Sequence, residues 1–196
     1  MMTTTTYVKK FVIAGAAVLA LCVGWMAGGV GATVATAASA TSTGANAELR
    51  TPAWFEDHWI DLSVSWEDAG ACDIGGVSDV TIVCFRDERA LDDALAAHRD
   101  MAFAITSVCS SSLRLYADAS YSGAVLSLST RSATLSLSNY SFDNVTSSYK
   151  VGACDAEFWE GSGGTGSAYP GNTTAGAQSA TMVTGWDNRI SSVLIY

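Results

Sequence analysis

Between residues 113 and 195 the chain alternates apolar and polar positions with the two-residue period of half-buried strands. Leu113-Arg114-Leu115-Tyr116 and Val125-Leu126-Ser127-Leu128 flank a Gly-containing turn and read as a hairpin. Thr134-Leu135-Ser136-Leu137 alternates strictly, and a fourth strand follows, with Tyr149 and Val151 on one face. Four short antiparallel strands with one long return predict a Greek key. The end of the chain, with Val193 and Ile195 on one face, reads as the last strand of a second such unit. Two units packed face to face predict an all-β sandwich.

Upstream the pattern changes. Residues 79–85 read as a strand, and Asp87 is placed to cap a helix running to Arg99 with Leu91, Ala94, Leu95 and His98 on one stripe. Trp54, Phe55, Trp59 and Trp66 form an aromatic group among acids, most simply read as packing on the helix or the sandwich. Residues 41–104 therefore read as a linker followed by a small accessory segment with a strand and a helix. Residues 1–40 read as an export signal: Lys9-Lys10 precede an apolar run over residues 11–27, and small-residue triplets follow at Ala35-Thr36-Ala37 and Ala38-Ser39-Ala40.

The chemistry concentrates in a repeat. Asp143-Asn144-Val145-Thr146-Ser147-Ser148 returns 44 residues later as Asp187-Asn188-Arg189-Ile190-Ser191-Ser192. Each copy places a carboxylate, an amide and two hydroxyls in six positions, hard oxygen donors of the kind Ca²⁺ prefers. One copy alone is ordinary turn chemistry. Other landmarks share the period: Tyr116-x4-Tyr121-x-Gly123 is echoed by Trp159-x4-Gly164-x-Gly166, and Phe142 and Trp186 each precede a hexapeptide. Two copies are too few for a solenoid and predict a pseudo-twofold domain.

An aromatic, four residues, a second aromatic, one residue and Gly, followed some 20 residues later by the hexapeptide, resembles the Ca²⁺-binding microbial βγ-crystallin family, in its secreted actinobacterial type. The resemblance covers residues 107–196. It departs from the pattern once, where Gly164 stands in place of an aromatic. It implies a βγ-crystallin-like double Greek key over residues 105–196, with keys at about 107–152 and 153–196, and two Ca²⁺ ions that mainly stabilise the fold. By that pattern one site takes the Ser147 hydroxyl, the Val145 carbonyl and the Glu160 carbonyl. The other takes Ser191 with the Arg189 and Ala117 carbonyls. Asp143, Asn144, Asp187 and Asn188 supply side-chain oxygens directly or through water. The Arg189 cation should weaken its site unless it points outward. With its own core, the part from residue 107 is expected to fold alone.

Formal net charge is −9, and loss of Lys9 and Lys10 with the export signal makes the remainder more acidic still. That balance argues against nucleic acid or an anionic membrane as partner. Beyond Cys22 four cysteines remain, an even number in a chain read as secreted, and a disulfide framework is expected. Of three pairings, the pseudo-twofold favours Cys109–Cys154, which leaves Cys72–Cys84 to close a small loop.

No enzyme is expected. The chain has only His58 and His98, and lacks His-Glu-x-x-His, Gly-x-Ser-x-Gly and a phosphate-binding Gly loop. The alternative reading is a secreted protease inhibitor or antimicrobial protein on the same scaffold, with residues 161–176 as the exposed stretch facing a protease partner.

Overall fold

The computed structural model describes residues 49–78, 81–99, 108–131 and 134–196. The export signal, the linker, Cys22, Asp79 and the proposed start at residue 107 lie outside the described residues. Twelve strands are β1 (Pro52–Phe55), β2 (His58–Asp61), β3 (Ala71–Ile74), β4 (Ile82–Phe85), β5 (Val108–Asp118), β6 (Ser122–Thr130), β7 (Thr134–Ser136), β8 (Ser148–Lys150), β9 (Ala156–Gly161), β10 (Thr165–Ala168), β11 (Gln178–Ser179) and β12 (Ser192–Ile195). Helix α1 spans Glu88–Arg99, and Asp87 caps it as expected, its Oδ1 accepting the Ala90 N–H at 2.8 Å.

The strands form two sheets, ordered β11-β8-β5-β6-β3-β4-β1-β2 and β10-β9-β12-β7. The fold is an all-β Greek-key sandwich. Its two keys, β5–β8 and β9–β12, exchange their third strands. β7 leaves the first key to pair with β12 (Leu135 opposite Val193), and β11 leaves the second to pair with β8 (Ser179 opposite Tyr149). Each sheet thus contains a strand from the other key, and neither key closes alone.

Alternation decides which side chains fill the space between. Leu113, Leu115, Leu126, Leu128 and Tyr149 from the first sheet meet Phe158, Val193 and Ile195 from the second, all within one buried cluster. The other face of the first sheet is covered as well. Tyr116, Val125 and Ala71 form a second buried cluster with Leu91 of α1. Arg114 also emerges on the helix side, where Nη1 lies 2.6 Å from Glu88 Oε1 and Nη2 pairs with Asp92. The Tyr116 hydroxyl donates to the same Glu88 oxygen at 2.6 Å. Burial, and then that carboxylate, push the Tyr116 phenol well above its ordinary range.

The accessory segment differs from expectation. It contributes four strands rather than one, and β3 pairs in parallel with β6 (Cys72 opposite Leu126), so the segment continues the first sheet. Trp66 reaches further, its Nε1 donating to the Tyr140 carbonyl at 2.6 Å and its ring lying 5.5 Å from that of Phe142. All described residues fall within one compact unit, Ala45–Tyr196. Excision at residue 107 would uncover the β6 edge and the Tyr116–Val125 face, so the shortened chain should be less stable than the whole. Leu91→Ala tests the contact directly. Leu91 is fully buried, and the substitution should cost about 2–5 kcal/mol in denaturant unfolding.

Both disulfides join the expected partners, Cys72 with Cys84 and Cys109 with Cys154. The first ties two directly opposed residues of β3 and β4. The second ties the start of β5 to the segment between β8 and β9. Among the described residues no helix is long and apolar enough to cross a membrane.

Candidate metal centre

The two hexapeptides lie against each other, and their contacts repeat with the pseudo-twofold. Asn144 donates its backbone N–H to the Ile190 carbonyl at 3.0 Å, and Asn188 donates its own to the Thr146 carbonyl at 3.1 Å. The Ser147 hydroxyl donates to Asn188 Oδ1 at 3.2 Å, and the Ser191 hydroxyl to Asn144 Oδ1 at 3.4 Å. Each asparagine therefore serves the serine of the other copy. Both asparagines hold left-handed backbone, φ 56° at Asn144 and 54° at Asn188, a conformation Asn tolerates far better than most residues. That bend carries each amide across the pseudo-dyad.

The last two serines of each copy do different work. Ser148 and Ser192 are fully buried. Ser148 Oγ donates to the Asp118 carbonyl at 2.6 Å and accepts the Tyr121 N–H at 3.0 Å. Ser192 Oγ likewise donates to the Gly161 carbonyl at 2.5 Å and accepts the Gly164 N–H at 2.9 Å. These hydroxyls latch the folded-over hairpins; Ser147 and Ser191 face the other copy. The sequence shows two hydroxyls side by side and does not separate the roles. A signal was present, since the strand β8 begins at Ser148 and β12 at Ser192.

The same latch explains Gly164. Its counterpart Tyr121 has φ 59°, and the residues before them, Ser120 and Gly163, have φ 60° and 66°. Gly164 at φ 77° adopts this hairpin without the steric cost an L side chain meets there. The apparent departure from the aromatic pattern keeps the backbone. What changes is packing: Tyr121 meets Tyr116 edge to face at 5.7 Å and lies under Lys150 Nζ at 4.7 Å, contacts Gly164 lacks.

Ser147 donates its N–H to the Tyr116 carbonyl, one residue before Ala117, at 2.9 Å. Ser191 donates to the Trp159 carbonyl, one residue before Glu160, at 2.8 Å. Each serine thus stays beside the hairpin of its own key, Ser147 beside Ala117 and Ser191 beside Glu160. Val145 is partly buried against the core. Arg189 pairs with Glu160, with 2.5 Å between Nη2 and Oε2. The Ser167 N–H on its other oxygen is the foremost cause holding the Glu160 carboxyl below its ordinary range, with Arg189 adding to it.

These residues suit a hard cation. Asp143 Oδ1 is buried without a hydrogen-bond partner, an arrangement that costs free energy unless a donor or cation is supplied. Its Oδ2 accepts only the neighbouring Asn144 amide at 3.0 Å. Asp187 is exposed. Among the described residues no three His, Cys, Asp or Glu side chains converge, so amide, hydroxyl and carbonyl oxygens dominate the donor set.

Residues 161–176 are more restrained than a free loop. β10 opens the stretch, Tyr169 is buried, Tyr149 donates its hydroxyl to the Asn172 carbonyl at 2.7 Å, and Asp155 Oδ1 accepts the Ala175 N–H at 2.7 Å.

No protein-family model and no curated protein matches the chain. Among solved structures it is similar to a beta gamma crystallin from Ciona intestinalis, at 20% identity over 43% of this chain and 99% of that one, TM-score 0.38. A betagamma-crystallin domain from Clostridium beijerinckii is similar at 22% identity over 43% of this chain and 97% of that one, TM-score 0.36. The N-terminal domain of protein S is similar at 18% identity over 44% of this chain and 96% of that one, TM-score 0.36.

Proposed function

We propose that the chain is a secreted calcium-binding protein of βγ-crystallin type, whose two Ca²⁺ ions cross-link the hexapeptides and stabilise the sandwich. The observation that carries this reading is the reciprocal pairing of Ser147 with Asn188 and Ser191 with Asn144, two clusters of hard oxygens whose side chains meet through hydrogen bonds of 3.2 and 3.4 Å. One cluster would hold an ion with Ser147, Asn188 and the neighbouring Ala117 and Val145 carbonyls. The other would use Ser191, Asn144 and the Glu160 and Arg189 carbonyls, with Asp143 and Asp187 adding charge directly or through water. When bound, the ion supplies a charge bridge between the keys; it reacts with nothing.

Few formal charges reach each ion, so affinity should fall near the 10⁻⁴–10⁻³ M typical of extracellular modules, or about a decade or two tighter. A ligand binding only the folded state stabilises it by about 2.7 kcal/mol at 100 Kd. Thermal melts with excess Ca²⁺, with Mg²⁺ and with a chelator test this. Ca²⁺ should raise the melting temperature, while Mg²⁺, which demands a compact octahedron and gives up water reluctantly, should do so weakly. Equal melts in all three would count against calcium. The inhibitor or antimicrobial alternative has no comparable supporting observation, and incubation with a panel of extracellular proteases tests it.

A further inference from the structure

The two clusters are equivalent at their serines and asparagines but diverge at other matched positions, two of which differ in charge beside the clusters. Val145 of the first copy corresponds to Arg189 of the second, and Ala117 of the first hairpin corresponds to Glu160 of the second. Val145 and Ala117 are apolar and pack against the core. Arg189 and Glu160 form an ion pair held at both ends. The guanidinium lies 5.2 Å from the Trp186 ring centre and donates to the Gly185 carbonyl at 3.3 Å, while Glu160 Oε1 accepts the Ser167 N–H at 3.0 Å. The Ser191 N–H bonds the carbonyl immediately before Glu160, so the pair stands at the Ser191–Asn144 cluster. At these two matched positions one side of a near-symmetric arrangement therefore carries opposed charges and the other side apolar residues.

We propose that Arg189 and Glu160 set the cation affinity of the Ser191–Asn144 half-site alone, Glu160 raising it and Arg189 holding it down; this rests on the calcium reading above. A divalent ion feels a unit charge twice as strongly as a monovalent one does. Glu160 is only 24% exposed against 51% for Arg189, so its charge reaches the site through less solvent. Each charge acting through largely solvated space should move affinity by roughly three- to tenfold, less at high salt.

The test compares the full protein with Arg189→Val, Glu160→Ala, the double variant and Arg189→Lys. Ca²⁺ is titrated while amide NMR shifts follow the Ser147 and Ser191 half-sites separately, and calcium-free melting temperatures are taken on the same samples. Arg189→Val should tighten the Ser191 half-site about three- to tenfold and Glu160→Ala should weaken it by a similar factor. The double variant should return near wild type, Arg189→Lys should stay there, and the Ser147 half-site should move less than about twofold. About 0.5 M salt should shrink both shifts. If the wild type fills both half-sites and the two single variants shift affinity in the same direction, shift both half-sites alike, or change only the calcium-free melting temperature, the proposal is overturned. A wild type that binds no Ca²⁺ at millimolar concentration overturns the calcium reading and this proposal with it.

Discussion

Ser148→Ala and Ser192→Ala are expected to damage the calcium-free protein far more than Ser147→Ala and Ser191→Ala. Each of the first pair removes a fully buried hydroxyl that satisfies one carbonyl and one N–H of a folded-over hairpin. Leaving a buried group unpaired costs about 1–3 kcal/mol, so each latch variant should lose about 2–4 kcal/mol of stability. Ser147 and Ser191 make hydrogen bonds of 3.2 and 3.4 Å that contribute little without the ion. Their loss should leave the calcium-free melt nearly intact and weaken one half-site roughly ten- to hundredfold, the equivalent of about 1.5–3 kcal/mol for a ligand to a cation. Chemical unfolding and binding isotherms on the same four variants check both halves. Equal loss of calcium-free stability in all four would show that the fifth-position serines are structural and not ligands.

Replacing both Cys109 and Cys154 by Ser should cost more stability than replacing both Cys72 and Cys84. In the chain-entropy account a cross-link stabilises by restricting the unfolded chain, and the effect grows with the loop closed. With partners 45 residues apart, this bridge should contribute about 4 kcal/mol, against about 3 kcal/mol for Cys72–Cys84, whose partners are 12 apart. The first also joins the keys covalently, beside the β7–β12 and β11–β8 pairing and the shared core. Denaturant melts of each double-serine variant give the order. A larger loss from the Cys72–Cys84 variant would show that native packing in the accessory segment, rather than loop closure, decides the effect.

The repeat was legible because a fixed spacing needs no structure to see, and the bridges followed from it once equivalent positions were placed near a dyad. Strand alternation was legible where one face is buried, as at Leu113 and Leu115, and Asp87 announced α1 through ordinary capping chemistry. Strand exchange was not legible: pairing of Leu135 with Val193 is set by tertiary packing, and nothing local distinguishes it from pairing within the key. β1 to β3 were missed for a related reason. They are four residues each, too short for a period to stand out, and in β3 Ala71-Cys72-Asp73 is buried on both faces, so no period-two signal survives there. Asp73 adds to the disguise. It is buried, yet its carboxylate accepts the Ser127 hydroxyl at 2.7 Å and the Gly76 and Val77 N–H groups at 2.8 and 2.7 Å. At the candidate metal centre residue types were readable, but the contacts between them were not. The left-handed bends at Asn144 and Asn188 send each amide to the opposite copy, and each hairpin stays beside its own serine.

Calorimetric titration of Ca²⁺ into the metal-free protein should show saturable binding of two ions, with Ser147→Ala and Ser191→Ala each weakening a different one. A folded protein that gives no heat at millimolar Ca²⁺, or one whose binding survives both substitutions together, would contradict the calcium reading.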